Sequence, residues 1–284
     1  MRLPVKIAAR VGRTLLLMVF AAAGTILLVR FAPGFFSDVR EMDTKYAPGA
    51  RSEMQAENYR QSTWLIASQV AKGWLDGDFG QSRQFGVPVS ELVGARIRVS
   101  ALLLAQGIFG GWLLAICGAL PISGLRSDRL LWGLPFTILL AVPTAAMATA
   151  CILAETGGPV LVLSLLIAAR EFKFLHGLLE RAWRSPHLLY GRAQGLSWRA
   201  LVRMHILPNA AQQLCALTTL SIVTALGALV PIEVIFTVPG VGQLAWSAVM
   251  NRDLPVLVAV SLLMACVVGV AGMISKDIFT LEAA

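Results

Sequence analysis

Six stretches without a charged residue constrain this sequence more than any other feature. A helix needs about 20 apolar residues to cross the hydrocarbon core of a bilayer, with a range of about 17 to 25. Only 14% of the 284 residues are charged, against about 25% in a typical soluble domain. The pattern therefore predicts an all-α integral membrane protein with six transmembrane helices, at 14–29, 99–125, 130–154, 156–169, 206–232 and 254–275.

Arginines flank the first of these stretches at Arg10, Arg13 and Arg30. Long arginine side chains can carry their charge to the membrane interface, so the helix can extend beyond both ends of the apolar run. A cleaved signal peptide is the alternative, but no clear small-x-small cleavage site precedes the polar segment that follows. We expect a retained helix.

The fourth stretch is short, because Arg170, Glu171 and Lys173 follow its apolar run. The sequence Thr-Gly-Gly-Pro at 156–159 must turn the chain before it. We therefore expect a tight hairpin at this turn, followed by a fourth helix that protrudes from the membrane.

The distribution of positive charge predicts the orientation. Short loops rich in Lys and Arg stay in the cytoplasm, whereas segments longer than about 60 residues cross largely regardless of charge. Lys and Arg concentrate before the first span, after the last span, at 126–129 and at 170–203, whereas the loop at 233–253 carries only Arg252. Both termini are then cytoplasmic, and residues 31–98 lie outside.

Three regions follow from this topology. Residues 1–30 hold the N-terminal tail and the first helix, residues 31–98 form a long periplasmic segment, and residues 99–284 form a core of five helices. The periplasmic segment mixes charges, and its pattern through Tyr59, Leu65, Ile66 and Val70 predicts an amphipathic helix, which several glycines follow. It can cap the spans or offer a docking surface to an external protein, and the sequence leaves both open.

Enzyme and metal chemistry have little support. The four cysteines lie inside apolar stretches, which predicts packing residues, and no Cys/His spacing typical of a metal site occurs. The sequence contains no HExxH, no GxSxG and no phosphate-binding GxxxxGK[ST] motif. We expect no catalytic, cofactor-binding or metal-binding residues in this chain. Any process that this chain drives must then take its energy from a partner or from an ion gradient.

Strong helix-boundary signals mark the segment between the fourth and fifth spans. Ser185-Pro186 is a typical helix start, and Gly195 is a typical helix end. Ser197 caps a second helix that runs to Leu207 and meets Pro208. The pattern predicts two helices joined by a tight glycine bend, which can rest on anionic lipid or contact a partner protein.

Gly195 and Leu207-Pro208 resemble the cytoplasmic signature of ABC importer permeases, written EAA-x3-G-x9-I-x-L-P. The Gly, Leu and Pro match, whereas the Glu position falls on Leu189, the Ala positions on Tyr190 and Gly191, and the Ile position on His205. The sequences Arg-Ala-Gln-Gly-Leu-Ser at 192–197 and Arg-Met-His-Ile-Leu-Pro-Asn at 203–209 are similar to the dipeptide/oligopeptide/nickel branch of this family.

Further motifs carry the resemblance along nearly the whole chain. Residues 233–242, with Asn-Arg-Asp-Leu-Pro at 251–255, look like the E-x-x-F-x-x-P-G-x-G and N-R-D-x-P segments of the branch. Arg-Phe-Ala-Pro-Gly at 30–34 and Gly-Asp-Phe-Gly-Gln-Ser at 77–82 match near the amino end. The long segment after the first span suits the B-type subunit of the permease pair.

The resemblance implies an ABC type I importer-like fold in the bacterial inner membrane and no enzyme activity in this chain. It implies a second homologous permease, two ABC ATPase subunits that bind ATP and Mg, a periplasmic or lipid-anchored solute-binding protein, and no nucleic acid. Contact with the ATPases is then expected in the segment 180–207, hereafter the coupling segment. The expected contact residues are Leu188, Leu189, Arg192, Ala193, Gly195, Leu196, Ser197, Trp198, Leu207 and Pro208.

A re-entrant or interfacial turn is expected at 233–242, hereafter the outer segment. Pro239 fixes one backbone angle, and Gly240 and Gly242 permit left-handed or closely packed backbone. Glu233 and Phe236 offer anchors on the preceding helix. A structural lid and a direct part in gating are both compatible with these residues.

Two other function classes remain to be weighed. A stand-alone ion-coupled carrier or channel would favour intramembrane acids and an inverted repeat, neither of which is evident. A membrane enzyme would need a polar constellation that the spans lack. Substrate identity stays open among peptides, nickel or other metal chelates, glutathione and oligosaccharides, and the short connection at 155–159 departs from the family pattern.

Overall fold

The structure is a computed structural model that describes residues 3–31, 72–73, 77–124, 129–183 and 185–281. The expected amphipathic helix within 59–70, and nearly all of the periplasmic segment before residue 77, lie outside the described residues. The chain forms two compact units, Met1–Val99 with Pro239–Val270 and Ser100–Val238 with Ala271–Ala284. The division of the chain into three regions stays a prediction.

Helices make up the regular structure of the described ranges. They are α1 (Leu3–Phe31), α2 (Val89–Gly124), α3 (Arg129–Ala141), α4 (Thr144–Leu153), α5 (Pro159–Trp183), α6 (Pro186–Ala193), α7 (Trp198–Leu201), a π-helical turn (Val202–Ile206), α8 (Leu207–Ile235), α9 (Val241–Met250) and α10 (Leu254–Leu281). This confirms the all-α prediction for the described residues.

Four helices are long and apolar enough to cross a membrane by length and composition. Their apolar parts are Ala8–Val29, Val89–Ala119, Gln213–Ile235 and Leu254–Met273. They correspond to the first, second, fifth and sixth predicted spans. The second helix begins at Val89, ten residues before its expected start at 99. It therefore includes charged residues that the prediction left outside the span.

The third predicted span is broken. Gly133–Ala141 and Thr144–Leu153 meet at an angle of 104°, and Pro143, which lies between them, cannot donate a helical hydrogen bond. The pair counts as a fifth span only if both halves cross together. Helix α5 lacks the apolar length of a span because charges interrupt it, so the prediction of six spans is not confirmed.

A tight turn joins α4 to α5. Glu155 and Gly157 both adopt positive φ, at 52° and 74°. The Thr156 amide donates to the Cys151 carbonyl over 3.0 Å, which closes the end of α4. Helix α5 then continues without interruption past Arg170, Glu171 and Lys173, as expected for the helix after this turn.

In the first unit, α1 lies against α10. Ala22 and Ile26 are buried with Leu254, Val258 and Leu262 of α10 in one apolar cluster. Thr25 Oγ1 donates to Ser261 Oγ over 2.9 Å. A second cluster joins Val89, at the start of α2, to α9 and to α10. These contacts hold the amino end of α2 beside α9 and α10.

In the second unit, a row of glycines lets α2 lie close to α5. A Cβ atom at Gly107 would stand 2.4 Å from the Leu163 side chain, and one at Gly111 would stand 2.6 Å from Ile167 Cβ. Small residues allow such close approach between membrane helices. Helix α3 joins the same core, since the rings of Phe136 and Phe172 stack with centroids 3.9 Å apart.

Candidate functional site

The coupling segment contains a sharp bend at Gly195. Helix α6 ends at Ala193, and Gly195 adopts a left-handed φ of 76°. The Leu196 amide donates to the Gly191 carbonyl over 3.2 Å, which is the bond that closes a helix ending in a left-handed residue. The expected glycine bend is therefore present, and a Cβ atom at Gly195 would meet nothing within 4 Å.

A second short helix starts where the sequence places its cap. The Ala200 amide donates to Ser197 Oγ over 3.4 Å, and the Leu201 amide donates to the Ser197 carbonyl over 3.0 Å. The expected single helix to Leu207 is wrong in one respect, because α7 passes into a π-helical turn before α8 begins. Single π-helical turns are rare and frequently lie at functional sites.

An apolar cluster fixes this bend to the membrane helices of its own unit. Leu201 and Ile206 are buried together with Phe172, Leu175 and Leu179 of α5. Leu196, Val202, Leu214 and, from α2, Trp112 pack against the same cluster. The residues that follow the bend are therefore anchored in the apolar core of their unit.

The coupling segment also exposes apolar side chains. Tyr190 is 68% exposed and Met204 is 66% exposed. Sequence reasoning missed both residues as contact candidates, although Tyr190 stands at an Ala position of the signature. In the predicted topology these side chains lie on the cytoplasmic side, where they can contact a partner protein or the membrane surface.

The other predicted contact residues can be placed only in part. Ala193 is exposed at the end of α6, and Leu196 and Ser197 follow the bend. The backbone of the remaining residues is helical, whereas their side chains lie outside the described structure: Leu188, Leu189, Arg192, Trp198, Leu207 and Pro208.

In the second unit, the outer segment begins at the end of α8. Glu233 is fully buried, and its Oε1 accepts a hydrogen bond from Ser100 Oγ of α2 over 2.6 Å. The Val238 amide donates to the Glu233 carbonyl over 2.9 Å, and Thr237 between them has a φ of 52°. Glu233 is thus an anchor between α2 and α8.

In the first unit, the outer segment continues into α9. Gly240 is extended, with φ −108° and ψ −173°, and begins α9, which also contains Gly242. Of the two roles expected for the glycines, the left-handed one is wrong, because Thr237 and not Gly240 or Gly242 has a positive φ; the closely packed one stays open. Pro239 is exposed, whereas Gly240 and Gly242 are buried. At ten residues, α9 is too short to cross a bilayer.

Two resemblance motifs meet in the first unit, which sequence reasoning did not anticipate. Asp253 is fully buried at the start of α10, and its Oδ2 accepts hydrogen bonds from Ser82 Oγ at 2.5 Å and from the Gln84 amide at 3.2 Å. The loop also returns on itself, since the Val89 amide donates to the Gly80 carbonyl over 3.0 Å. Asp253 thereby fastens the 80–89 loop to the turn between α9 and α10.

A buried carboxylate on α5 was also missed. Glu171 is fully buried, and its Oε1 accepts a hydrogen bond from Ser221 Oγ of α8 over 2.8 Å. Ser221 Oγ in turn accepts from Trp112 Nε1 of α2 over 3.0 Å. The sequence placed Glu171 beyond the end of a span because charged residues flank it. Only the spacing of four residues between Glu171 and the apolar Leu175, which places both on one helix face, indicated an inward position.

Within the described ranges, no three His, Cys, Asp or Glu side chains lie close enough to share a metal ion. That no cofactor binds this chain stays a prediction. The cysteine interpretation needs one correction, because Cys117 on α2 is exposed within the described part of the chain.

Residues 107–280, more than half of the chain, match the family described as binding-protein-dependent transport system inner membrane components. The matched range includes the coupling segment, the outer segment and the buried Glu171.

Curated relatives have related names. The metal-staphylopine import system permease protein CntB of Staphylococcus aureus is 28% identical over 265 residues, which cover 86% of this chain and 81% of the relative. The oligopeptide transport system permease protein AppB of Bacillus subtilis is 26% identical over 241 residues, covering 73% and 75%. OppB of Escherichia coli, an oligopeptide transport system permease protein, is 27% identical over 210 residues, covering 66% and 68%.

A solved structure supports the fold. A chain of the MetNI methionine ABC transporter in an inward-facing conformation superposes with a TM-score of 0.51 and 17% identity, over 66% of this chain and 95% of that chain. At this identity the likeness concerns the fold alone. The family match and the membrane-length helices agree: this chain belongs to the binding-protein-dependent transport system inner membrane components, as a multi-pass inner-membrane permease of the ABC importer class.

Proposed function

We propose that this chain is a B-type permease subunit that forms a translocation pathway with a second, homologous permease and is driven by two ABC ATPase subunits. The bend at Gly195 is the observation that carries the proposal. The segment around it exposes Tyr190 and Met204 and buries Leu201 and Ile206. Such a segment can receive a force at its exposed residues and pass it to the helices that its buried residues contact.

Coupling then depends on shape more than on any single strong bond. Binding of ATP closes the ATPase subunits, and their closure displaces the segment 186–207. Because Leu201 and Ile206 are packed against α5, α5 must follow that displacement. Arg192 and Arg199 would supply the charge that acidic residues on an ATPase can pair with.

An external solute-binding protein would deliver substrate on the periplasmic side of the membrane. In the first unit, Phe85 and Trp246 are both exposed, and a side-chain hydrogen bond of 3.0 Å between Ser247 and Gln84 joins the elements to which they belong. This surface would stand outside the membrane in the predicted orientation. Its rigidity comes from Asp253, which holds the loop in place.

Peptides are the substrates that the resemblance favours, and AppB and OppB carry oligopeptide names. A metal complex is the second candidate, because CntB, which is named for metal-staphylopine import, covers more of this chain than those two relatives. The solute-binding protein that accompanies this chain would decide between the two classes.

Affinity purification of this chain from its native membrane in mild detergent, followed by mass spectrometry, tests the assembly. We expect a second permease and ATPase-type chains to be recovered with it. Ligands released from a co-purified binding protein would then identify the substrate class. Recovery of this chain alone, from a detergent that preserves a known importer, would contradict the proposal and favour a stand-alone ion-coupled carrier.

A further inference from the structure

We infer that Glu171, Ser221 and Trp112 form a polar clamp that makes α2, α5 and α8 follow the coupling segment as one body. The inference rests on the proposed coupling function and deepens it, since it names the residues that would carry the movement inward. All three residues belong to the second unit.

The clamp joins three helices through one hydroxyl group. Ser221 Oγ of α8 donates to Glu171 Oε1 of α5 over 2.8 Å and accepts from Trp112 Nε1 of α2 over 3.0 Å. The Leu217 carbonyl also lies 3.0 Å from Ser221 Oγ, so the single hydroxyl proton has two acceptors within reach. In either case the Ser221 oxygen lies between the Glu171 side chain and Trp112 Nε1.

A neighbouring bond strengthens the tie between α5 and α8. Arg170 Nη1 donates to Thr224 Oγ1, one turn along α8 from Ser221. Two consecutive residues of α5 thus hold two positions of α8 that lie on the same side of the helix. Sliding or rotation of α5 against α8 would break both bonds at once.

The clamp touches the apolar cluster that anchors the coupling segment. The Trp112 ring packs against that cluster, and its Nε1 donates the hydrogen bond to Ser221 Oγ. Phe172 and Leu175, which belong to the cluster, are the next residue and the next turn after Glu171 on α5. A displacement of Leu201 and Ile206 therefore reaches Glu171 through directly packed neighbours.

The burial of Glu171 carries a cost that packing alone does not explain. A buried carboxylate is destabilising unless it is fully hydrogen-bonded, and an apolar residue of similar volume avoids that cost. Glu171 Oε2 has no partner among the described residues. Apolar side chains would be enough to fill the space, whereas the hydrogen bonds also fix the relative rotation of three helices.

Hydrogen–deuterium exchange of the complete transporter, with and without MgATP plus orthovanadate, tests the clamp without knowledge of the substrate. In the wild type, nucleotide should alter exchange in 198–206 and in the helix segments around Trp112 and Ser221. In Glu171→Ala, the response at 198–206 should remain. The response around Trp112 and Ser221 should fall by about tenfold, as expected for the loss of a buried hydrogen bond.

Two variants that keep the shape of the side chain show whether the hydrogen bonds of the clamp, rather than the charge of Glu171 or a folding defect, cause the effect. Glu171→Gln keeps an oxygen that accepts from Ser221, so its response should stay within about twofold of the wild type if hydrogen bonding rather than charge matters. Trp112→Phe keeps the aromatic ring that packs against the cluster but removes the Nε1 donor. It should therefore weaken the α2 response and keep the α8 response, even if Glu171→Ala fails to assemble. Lys173→Ala, at an exposed site on the same helix, is the matched control.

Equal nucleotide responses in Glu171→Ala and the wild type would overturn the clamp, as would a Glu171→Gln variant as defective as Glu171→Ala. A wild-type complex with no nucleotide response would instead contradict the proposed function. The clamp would then be tested in the full chain alone. There Glu171→Ala should raise exchange around Trp112 and Ser221 together, and unchanged exchange at both would overturn it.

Discussion

At the scale of single residues, backbone conformation at Gly195 is the most exacting requirement of the coupling segment. A left-handed conformation costs about 1 to 2 kcal/mol for an ordinary L-residue and more for a β-branched one, whereas Asn tolerates it. The sequence predicted this conformation because helix-ending glycines follow a recurrent hydrogen-bond pattern. It did not predict that Thr237 would be left-handed, because threonine carries no such preference.

Gly195→Val should abolish ATP-dependent transport while leaving membrane insertion intact, because the φ of 76° is strained for valine. Gly195→Asn should retain most activity, and Gly177→Ala, an open helical site, is the matched control. ATPase activity and transport in proteoliposomes, with expression measured in parallel, are the readouts. Normal transport by a well-expressed Gly195→Val variant would refute the role of the bend.

In the first unit, the residue with the most specific structural role is Asp253, which holds the 80–89 loop. Asp253→Ala removes the acceptor for Ser82 and for the Gln84 amide, which should cost about 1 to 3 kcal/mol. The apparent melting temperature of the purified chain in detergent should fall by a few degrees. Glu91→Ala, at an exposed carboxylate of the same unit, should leave it unchanged. An Asp253→Ala variant as stable as Glu91→Ala would show that the loop is held by other contacts.

At the scale of elements, helix existence followed from hydropathy, but breaks and contacts did not. The periodicity of 130–154 looked continuous, yet Pro143 and the residues around it break that stretch by 104°. The π-helical turn at Val202–Ile206 has no local sequence signal. Leu201 before it and Ile206 at its end are buried in the same apolar cluster, a tertiary contact that the sequence pattern does not contain. Glu171 was missed for a similar reason: its charged neighbours suggested solvent, and only tertiary packing buries it.

Gly111→Ala tests the close contact between α2 and α5. The added Cβ would stand 2.6 Å from Ile167 Cβ and 3.0 Å from the Ser164 carbonyl oxygen, neither of which can move without the backbone. Overpacking of this kind costs about 1 to 3 kcal/mol. The detergent-solubilised variant should melt earlier than the wild type. Gly94→Ala on the same helix, where nothing lies within 4 Å, should be neutral or slightly stabilising. Equal melting of the two variants would contradict the contact.

At the scale of the whole molecule, the family followed from motifs whose order in the chain is fixed, and residues 107–280 confirm it. The number of spans did not follow from the sequence in the same way, because a count from hydropathy assumes straight helices and uninterrupted apolar length. Helix α5 violates the second condition and the pair α3–α4 the first. Function at this scale belongs to an assembly, so the sequence of one subunit specifies its contact surfaces better than its substrate.

Site-specific photo-crosslinking in the native membrane tests the central claim most directly. A photoreactive residue placed at Tyr190 or Met204, the exposed apolar positions of the coupling segment, should form a crosslink to an ATPase-type chain identified by mass spectrometry. The same residue at Phe109, 72% exposed on α2, is the control and should not reach that chain. Crosslinks from Tyr190 and Met204 to lipid alone would contradict the account and show that the bend rests on the membrane surface.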